Sequence, residues 1–216
     1  MASRHGSAVH AAAGAALALL ALASPAGAQA PPAAPAPSAH CAGAVGPAGT
    51  SRLQPMRSQP FFEDVAFVDQ DGHETTLRTV LDTELPVLLN FIFTTCTTVC
   101  PIMSTGFARF QEALESDRDR VRLVSVSIDP DNDSVEVLRA YAERFRAGNG
   151  WRLLTGTRDA SVTAQRAFGA YRGDKMNHAP ATYVRRGRGE PWQVVDGLAS
   201  AEILREVWRD LSHDGR

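Results

Sequence analysis

The sequence predicts an α/β fold in which a central mixed sheet is flanked by helices on both faces. The apolar run 86–93 is continuous rather than alternating, as is typical of a strand covered on both sides, and 121–128 is interpreted as a second buried strand. Segments with apolar residues at helical spacing lie between and after these runs. Strands that alternate with helices in this way favour a sheet packed between helical layers.

The elements are predicted in order along the chain. Residues 64–69 are typical of a strand that enters a tight turn at 70–73, and a second short strand begins at Thr75. After the buried strand at 86–93, Pro101 opens a helix to about Glu115, because proline is well tolerated in a first helical turn. The remaining predicted elements are a strand at 121–128, a helix from about Ser134 to Arg146, a strand at 151–154, a helix at 160–168, a hairpin of 182–185 with 192–195, and a closing helix at 200–211. Two parallel strands, a late hairpin and a final helix predict the thioredoxin-like arrangement.

Composition limits the function classes. The chain has 216 residues, of which 44% are hydrophobic and 21% charged, as expected for a globular protein. Its 22 basic and 24 acidic residues give a net charge of -2, which argues against a nucleic-acid-binding protein. Lys175 is the single lysine among those 22 basic residues.

The N-terminal segment predicts export. Residues 11–23 form an apolar run that is preceded by Arg4 and followed by the small-residue sequence Ala26-Gly27-Ala28. This is the pattern of a secretory signal peptide, so we expect a signal peptide at 1–28 and release into a bacterial periplasm. A membrane contact is expected only if this segment is retained as an inner-membrane anchor, for which it is short.

The segment that follows predicts a tether. Residues 29–50 are almost entirely alanine, proline and glycine, a composition that cannot bury enough apolar surface to offset the entropy of ordering. Cys41 lies in this segment and is interpreted as a dispensable thiol. The folded domain is therefore expected at 51–216.

Cys96 and Cys100 are the residues most indicative of chemistry. They lie four apart, between the end of a buried strand and the start of a helix, where ligand sites commonly form in such sheets. We expect the helix dipole to lower the pKa of Cys100. The pair could form a structural disulfide, exchange disulfides, or bind a soft metal such as copper(I) or zinc. A structural zinc site would need four protein ligands, and the third cysteine lies in the tether.

Any metal site needs a third ligand, and the histidines narrow the choice. His5 and His10 leave with the signal peptide, and His40 and His213 lie in the tether and the terminal tail. His73 occupies a turn, where an exposed polar residue is ordinary. The remaining candidate is His178, which lies in a loop directly before the strand at 182–185. In a thioredoxin-like sheet that loop faces the helix that carries the cysteines.

Three motifs together resemble the SCO/SenC family. They are Thr94-Thr95-Cys96-Thr97-Thr98-Val99-Cys100-Pro101, then Val124-Ser125-Val126-Ser127-Ile128-Asp129-Pro130 with Asp133, and the distal His178. The resemblance covers roughly residues 58–212. It implies a thioredoxin-like fold and one copper ion, as copper(I) or copper(II), bound per monomer by Cys96, Cys100 and His178. It further implies delivery of copper to the binuclear copper centre of cytochrome c oxidase, or reduction of that centre's cysteines, with the copper-site subunit or another copper donor or acceptor as partner.

One position departs from the family pattern. Asn177 stands where the family usually has an aspartate before the histidine, and an asparagine can orient an imidazole but cannot add negative charge favouring copper(II). Two neighbouring residues receive structural interpretations. Asp129 is interpreted as a turn residue before Pro130, and Met176 as a packing residue.

Three function classes remain in competition. The first is a copper metallochaperone, which is not an enzyme, and the second is an exported thiol–disulfide reductase that would use Cys96 and Cys100 as a redox pair. The third is a peroxidase of the peroxiredoxin type, which is disfavoured because no proline stands at the required place before Cys96. Thiol–disulfide enzymes more often carry Cys-x-x-Cys, so the metallochaperone is the preferred prediction.

Overall fold

The computed structural model of the protein describes residues 53–61 and 64–213. The predicted signal peptide, the predicted tether and Cys41 lie outside the described residues. The strands are β1 Leu53–Pro55, β2 Ala66–Asp69, β3 Glu74–Thr76, β4 Val87–Ile92, β5 Arg122–Ser127, β6 Trp151–Gly156, β7 Ala181–Arg185 and β8 Gln193–Asp196. The α-helices are α1 Leu77–Leu81, α2 Val99–Leu114, α3 Val135–Arg144, α4 Arg158–Ala167 and α5 Ala201–His213. Short 3₁₀ segments lie at Glu115–Arg120 and Lys175–Asn177.

The strands form one mixed sheet in the order β1-β8-β7-β4-β5-β6-β2-β3. Strands β4, β5 and β6 are parallel, and the remaining neighbours pair antiparallel. The hairpin of β7 and β8 adds to β4 on one side, while β2 and β3 extend the sheet beyond β6. This architecture confirms the predicted thioredoxin-like mixed sheet, with a third parallel strand beyond the two expected.

Strand β4 lies at the centre and separates two cores. All six of its residues are buried, as its continuous apolar run predicts. Leu88 and Ile92 pack in a cluster with side chains of α2, α3 and α5, whereas Val87, Leu89 and Phe91 pack in a second cluster with side chains of α1 and α4. Helices therefore cover both faces of the sheet, as predicted.

The helix starts follow local capping chemistry. Ser134 accepts a hydrogen bond from the backbone of Val137 at the start of α3, and Thr157 does the same for Ala160 in α4. Helix α2 begins at Val99, two residues before the predicted start, and Thr98 makes no side-chain cap there. This places Cys100 inside the first turn of α2, where the backbone N–H groups have no partner within the helix.

One strand and one α-helix were not predicted. Strand β1 has three residues, none of them buried, and is held by antiparallel pairing with β8. Helix α1 directly follows β3 because the Thr76 side chain accepts from the backbone of Thr79. Neither element is long enough to show a periodic apolar pattern.

We expect Gly106→Ala to destabilise the fold. By helix propensity alone the change would stabilise α2 by about 1 kcal/mol. A Cβ at Gly106, however, would lie 2.6 Å from the backbone carbonyl oxygen of Ala199, just before α5. We therefore expect a net loss of about 1–3 kcal/mol in the free energy of unfolding, measured by urea denaturation. Arg109→Ala, at an exposed position of α2, is the control and should change stability by less than about 0.5 kcal/mol.

Candidate functional site

The loop after β4 is fixed by a buried carboxylate. Asp133, which is fully buried, accepts hydrogen bonds from the backbone N–H of Thr94 at 3.2 Å and from the Thr94 hydroxyl at 2.5 Å. Its second oxygen accepts from the Ser127 hydroxyl at the end of β5, also at 2.5 Å. Because β4 and β5 are parallel, their carboxyl ends meet at one edge of the sheet. Asp133 joins these two ends to the start of α3.

Cys96 lies in this loop and serves as an acceptor for the start of α2. Its backbone N–H donates to the Phe93 carbonyl at 3.1 Å, and its sulfur accepts from the backbone N–H of Cys100 at 3.5 Å. Burial by itself would raise the pKa of the Cys96 thiol. Hydrogen bonds from the backbone N–H groups of Cys100 and Thr98 and from their side chains outweigh burial, so the pKa lies below its ordinary value.

The pKa of the Cys100 thiol is shifted in the opposite direction. Its side chain is fully buried, and burial, together with the negative charge that Cys96 and Asp133 can carry, raises the pKa of its thiol to about 12. The prediction that the helix N-terminus lowers the pKa of Cys100 is therefore wrong. The free N–H groups of the first helical turn instead stabilise the thiolate of Cys96, whose sulfur accepts a hydrogen bond from the N–H of Cys100.

A buried pair of hydroxyl groups lies close to the cysteines. Tyr141 of α3 and Ser104 of α2 hydrogen-bond at 2.8 Å. Burial raises the pKa of Tyr141, and the charges of Cys100 and Cys96 raise it further. The tyrosine thus remains a neutral hydroxyl throughout the ordinary pH range.

His178 presents one ring nitrogen without a partner. Its Nε2 is buried and makes no hydrogen bond, and the ring lies close enough to the backbone of Phe91 in β4 for that backbone to affect its pKa. Burial lowers the pKa of His178; the backbone of Phe91 opposes this shift, and the charge of Arg172 adds to it. The ring is therefore neutral at pH 7, and one of its two nitrogens carries a lone pair that can bind a metal.

The backbone around His178 forms one tight 3₁₀ turn. The Asp174 side chain caps this turn by accepting from the N–H of Met176 at 2.8 Å. The N–H of His178 donates to the carbonyl of Lys175 at 3.1 Å. The Lys175 ammonium in turn lies 2.5 Å from a carboxylate oxygen of Asp129, beyond the end of β5. We call residues 174–178 the histidine loop.

The structure brings the two cysteines together but does not close a three-ligand cluster with His178. Among the described residues, the donor atoms of Cys96, Cys100 and His178 do not all lie within 4.8 Å of one another. Both cysteines are free thiols. All three residues nevertheless lie near the carboxyl end of β4, since the cysteines follow this strand and the pKa of His178 is affected by the backbone of Phe91 near the end of the strand.

A different group of side chains, around the turn between β2 and β3, does have its donor atoms within 4.8 Å of one another. It consists of Asp69, Asp71 and His73. Arg152 already pairs with both carboxylates, at 3.1 and 3.3 Å, and Asp69 accepts the backbone N–H groups of Asp71 and His73. The His73 side chain is 74% exposed, in agreement with its predicted place in a turn. These contacts close the hairpin.

Comparison with known proteins decides the family. Residues 54–212 match the profile of the SCO1/SenC family. The chain belongs to the SCO1/SenC family. A curated relative, the SCO1 protein homolog of Bacillus subtilis, is 32% identical over 101 residues, which are 46% of this chain and 51% of that protein. The matched part thus spans about half the length of that relative.

Solved SCO structures share the fold. BsSco, described as a Sco-family cytochrome c oxidase assembly protein with a disulfide switch, is 26% identical, with a TM-score of 0.60 over 74% of this chain and 94% of BsSco. Bradyrhizobium japonicum ScoI, determined with copper bound, is 21% identical, with a TM-score of 0.56 over 68% of this chain and 94% of ScoI. At that identity the ScoI comparison shows the fold alone.

The sequence interpretation did not identify the roles of some residues around the candidate site. Asp133 was noted only as part of a motif, although its carboxylate organises the loop that carries Cys96. Asp129 does form a turn, as its carbonyl accepts from the N–H groups of Asn132 and Asp133, but it also binds Lys175. The packing interpretation of Met176 is wrong, because its side chain is 73% exposed.

The opposite pKa shifts of the two thiols predict selective alkylation. At pH 7 a thiol with a pKa of about 12 is only about 10⁻⁵ thiolate, whereas one with a pKa below 9.0 is at least about 1% thiolate. A thiolate of lower pKa is also a weaker nucleophile, which reduces the expected ratio of the two alkylation rates by a factor of about 30. We therefore expect iodoacetamide to modify Cys96 at least about 30-fold faster than Cys100.

Peptide mass mapping of the reduced protein in a Cys41→Ser background measures the two rates. Cys100→Ser should leave the fast reaction in place, and Cys96→Ser should leave only the slow one. Equal rates at the two positions would contradict the assignment of the thiolate to Cys96.

Proposed function

We propose that this SCO1/SenC protein is a metallochaperone that binds copper and delivers it to the binuclear copper centre of cytochrome c oxidase during assembly. The observation that carries the proposal is the buried Nε2 of His178, which makes no hydrogen bond. A buried polar atom without a partner is unfavourable in a folded protein unless something binds there. This atom and the two free thiols lie at the same end of β4.

The donor set fits copper. Two thiolates are the ligands that copper(I) prefers, and an imidazole nitrogen suits copper(II). We propose that Cys96, Cys100 and His178 bind one copper ion per monomer. The backbone of Phe91 lies near the ring, as carbonyl groups commonly do at metal-binding histidines. Three donors also leave a position open for a receiving ligand, which a closed four-ligand structural zinc site does not.

The relatives support this function in general terms. BsSco is described as a cytochrome c oxidase assembly protein, and ScoI was determined with copper bound. We extend these properties to the present chain on the basis of family membership and of its donor set. The proposed partner is the copper-site subunit of the oxidase, or another protein that donates or accepts copper.

A thiol–disulfide reductase is the alternative function, and one specific observation favours it. The pKa of Cys96 is lowered while that of Cys100 is raised, which is the arrangement in which one thiolate attacks and its neighbour resolves the mixed disulfide. We expect the two cysteines to form a reversible disulfide in the metal-free protein under oxidising conditions. The two functions use the same thiols and differ in whether they require His178.

We further propose that the protein is exported and acts in the bacterial periplasm, with a signal peptide at 1–28, a tether at 29–50 and the domain at 51–216. Two thiols and a bound copper ion are suited to a compartment where redox partners and the oxidase copper centre are accessible. In the described part of the chain, no helix is long and apolar enough to span a membrane.

His178→Ala should separate copper(II) binding from copper(I) binding. Copper(I) is satisfied by two thiolates, so the variant should retain some copper(I) binding through Cys96 and Cys100. Copper(II) prefers a nitrogen ligand, so copper(II) binding should weaken by at least about tenfold. Competition titrations with a chromophoric chelator for each oxidation state measure the two affinities, and His73→Ala is the matched control.

The same variant distinguishes the two functions in cells. Poor assembly of a copper oxidase with His178→Ala, alongside unchanged exchange with a small disulfide in vitro, is the result expected of a metallochaperone. Full oxidase activity at low copper, despite the loss of copper(II) binding, would contradict the metallochaperone and favour the reductase.

Export predicts a mature protein that begins at Gln29. Signal peptidase cleavage after Ala28 should remove the apolar run 11–23, because Ala26-Gly27-Ala28 supplies the small residues that the enzyme requires. Intact mass measurement of the protein from a periplasmic extract checks this. A species that retains residues 11–23 and fractionates with membranes would instead indicate an anchored form.

A further inference from the structure

One ion pair connects the histidine loop to the loop that follows β5, the strand next to β4. The Lys175 Nζ lies 2.5 Å from Asp129 Oδ2, although the two residues are 46 positions apart in the sequence. The Asp129 side chain is only 9% exposed and that of Lys175 34% exposed. An ion pair shielded from water in this way is screened less by salt than an exposed pair.

Lys175 also contacts the loop that carries the cysteines. Its ammonium lies 5.5 Å from the centre of the Phe93 ring, within the range of a cation–π interaction. Phe93 is 4% exposed, and its carbonyl accepts the backbone N–H of Cys96. One ammonium group thus contacts residues beyond the ends of both β4 and β5.

Lys175 lies one turn before His178, the candidate metal ligand. His178 follows Lys175 by three residues, and its backbone N–H donates to the Lys175 carbonyl. Asp174, Met176 and Asn177 are exposed, so few packing contacts from these side chains hold the loop in place. Fixing Lys175 therefore restricts where the backbone of His178 can lie.

The residue type agrees with such a role. All other basic residues of this chain are arginine, and Lys175 is the single lysine among 22. A compact ammonium can approach a buried carboxylate and a ring face at once, whereas the larger planar guanidinium has different steric requirements.

We propose that Lys175 is a positioning residue, which holds the histidine loop against Asp129 and Phe93 and so preorganises His178 for copper bound by the cysteines. This proposal rests on the proposed copper function. Without the anchor, the exposed loop must be ordered when His178 binds the metal, and that ordering weakens binding. Copper(I), which needs only the thiolates, is unaffected by the anchor.

The test compares Lys175→Met, which keeps much of the apolar stem but removes the charge, with Lys175→Arg, which keeps the charge. Lys175→Met should weaken copper(II) binding about three- to tenfold and reduce the thiolate-to-copper(II) absorption band, with copper(I) affinity unchanged. Lys175→Arg should restore part of the loss. Arg158→Met is the matched control, since it removes an exposed ion pair with Asp131 outside the histidine loop.

A second measurement needs no metal. Amide hydrogen exchange of Asn177 and His178, whose N–H groups bond to Asp174 and Lys175, should be faster in metal-free Lys175→Met by a similar factor, and unchanged in Arg158→Met. Asp129→Asn should reproduce the effect, and the double variant with Lys175→Met should add little to it.

The outcomes separate this proposal from the proposed function. Unchanged amide exchange and an unchanged copper(II) band in Lys175→Met, with His178→Ala still impaired, would overturn the positioning role alone. If the wild-type protein bound no copper, the proposed function would fail, and with it the role of Lys175 in copper capture, whatever the exchange rates showed about the loop.

Discussion

The buried carboxylate of Asp133 is the group on which the geometry of the cysteine loop depends. Removing a carboxylate from water is unfavourable unless hydrogen bonds compensate, and burial raises the pKa of Asp133 while the bonds from Ser127 and Thr94 lower it. To make these bonds, the chain must bring the end of β5, the residue after Phe93 and the start of α3 to one point. Only then does Cys96 lie where the first turn of α2 can donate to its sulfur.

This arrangement makes the two thiols unlike each other. Cys96 receives backbone N–H groups, whereas Cys100 is enclosed in the core with two potential anions nearby. In the proposed function, copper that binds both sulfurs must displace the proton of Cys100, so binding would release at least one proton at neutral pH and would strengthen as the pH rises towards the pKa of Cys100. Thiol–disulfide exchange would use the same asymmetry, with Cys96 as the attacking thiolate. The asymmetry alone therefore does not distinguish the functions, and His178 does.

Sequence patterns predicted the long elements because each of them carries its own signal. The buried run of β4, the Ser134 cap of α3 and the β7–β8 hairpin are all visible within a few residues. Strand β1 lacks such a signal, since it exists only through pairing with β8. The Lys175–Asp129 pair joins two loops 46 residues apart, and the pKa order of the cysteines depends on burial; no local pattern encodes either.

The three candidate ligands are not held in position equally firmly. Cys96 and Cys100 are fixed by the end of a central strand, a buried carboxylate and a helix start, whereas His178 lies at the end of a loop with three exposed side chains and is held by the Lys175 anchor. In the proposed function this difference has a consequence, because a chaperone must release its metal. None of residues 174–178 belongs to either core cluster, so the histidine can leave the metal while the thiolates still bind it. The copper ion would then be two-coordinate and open to a ligand from the receiving protein, a state that copper(I) tolerates and copper(II) does not.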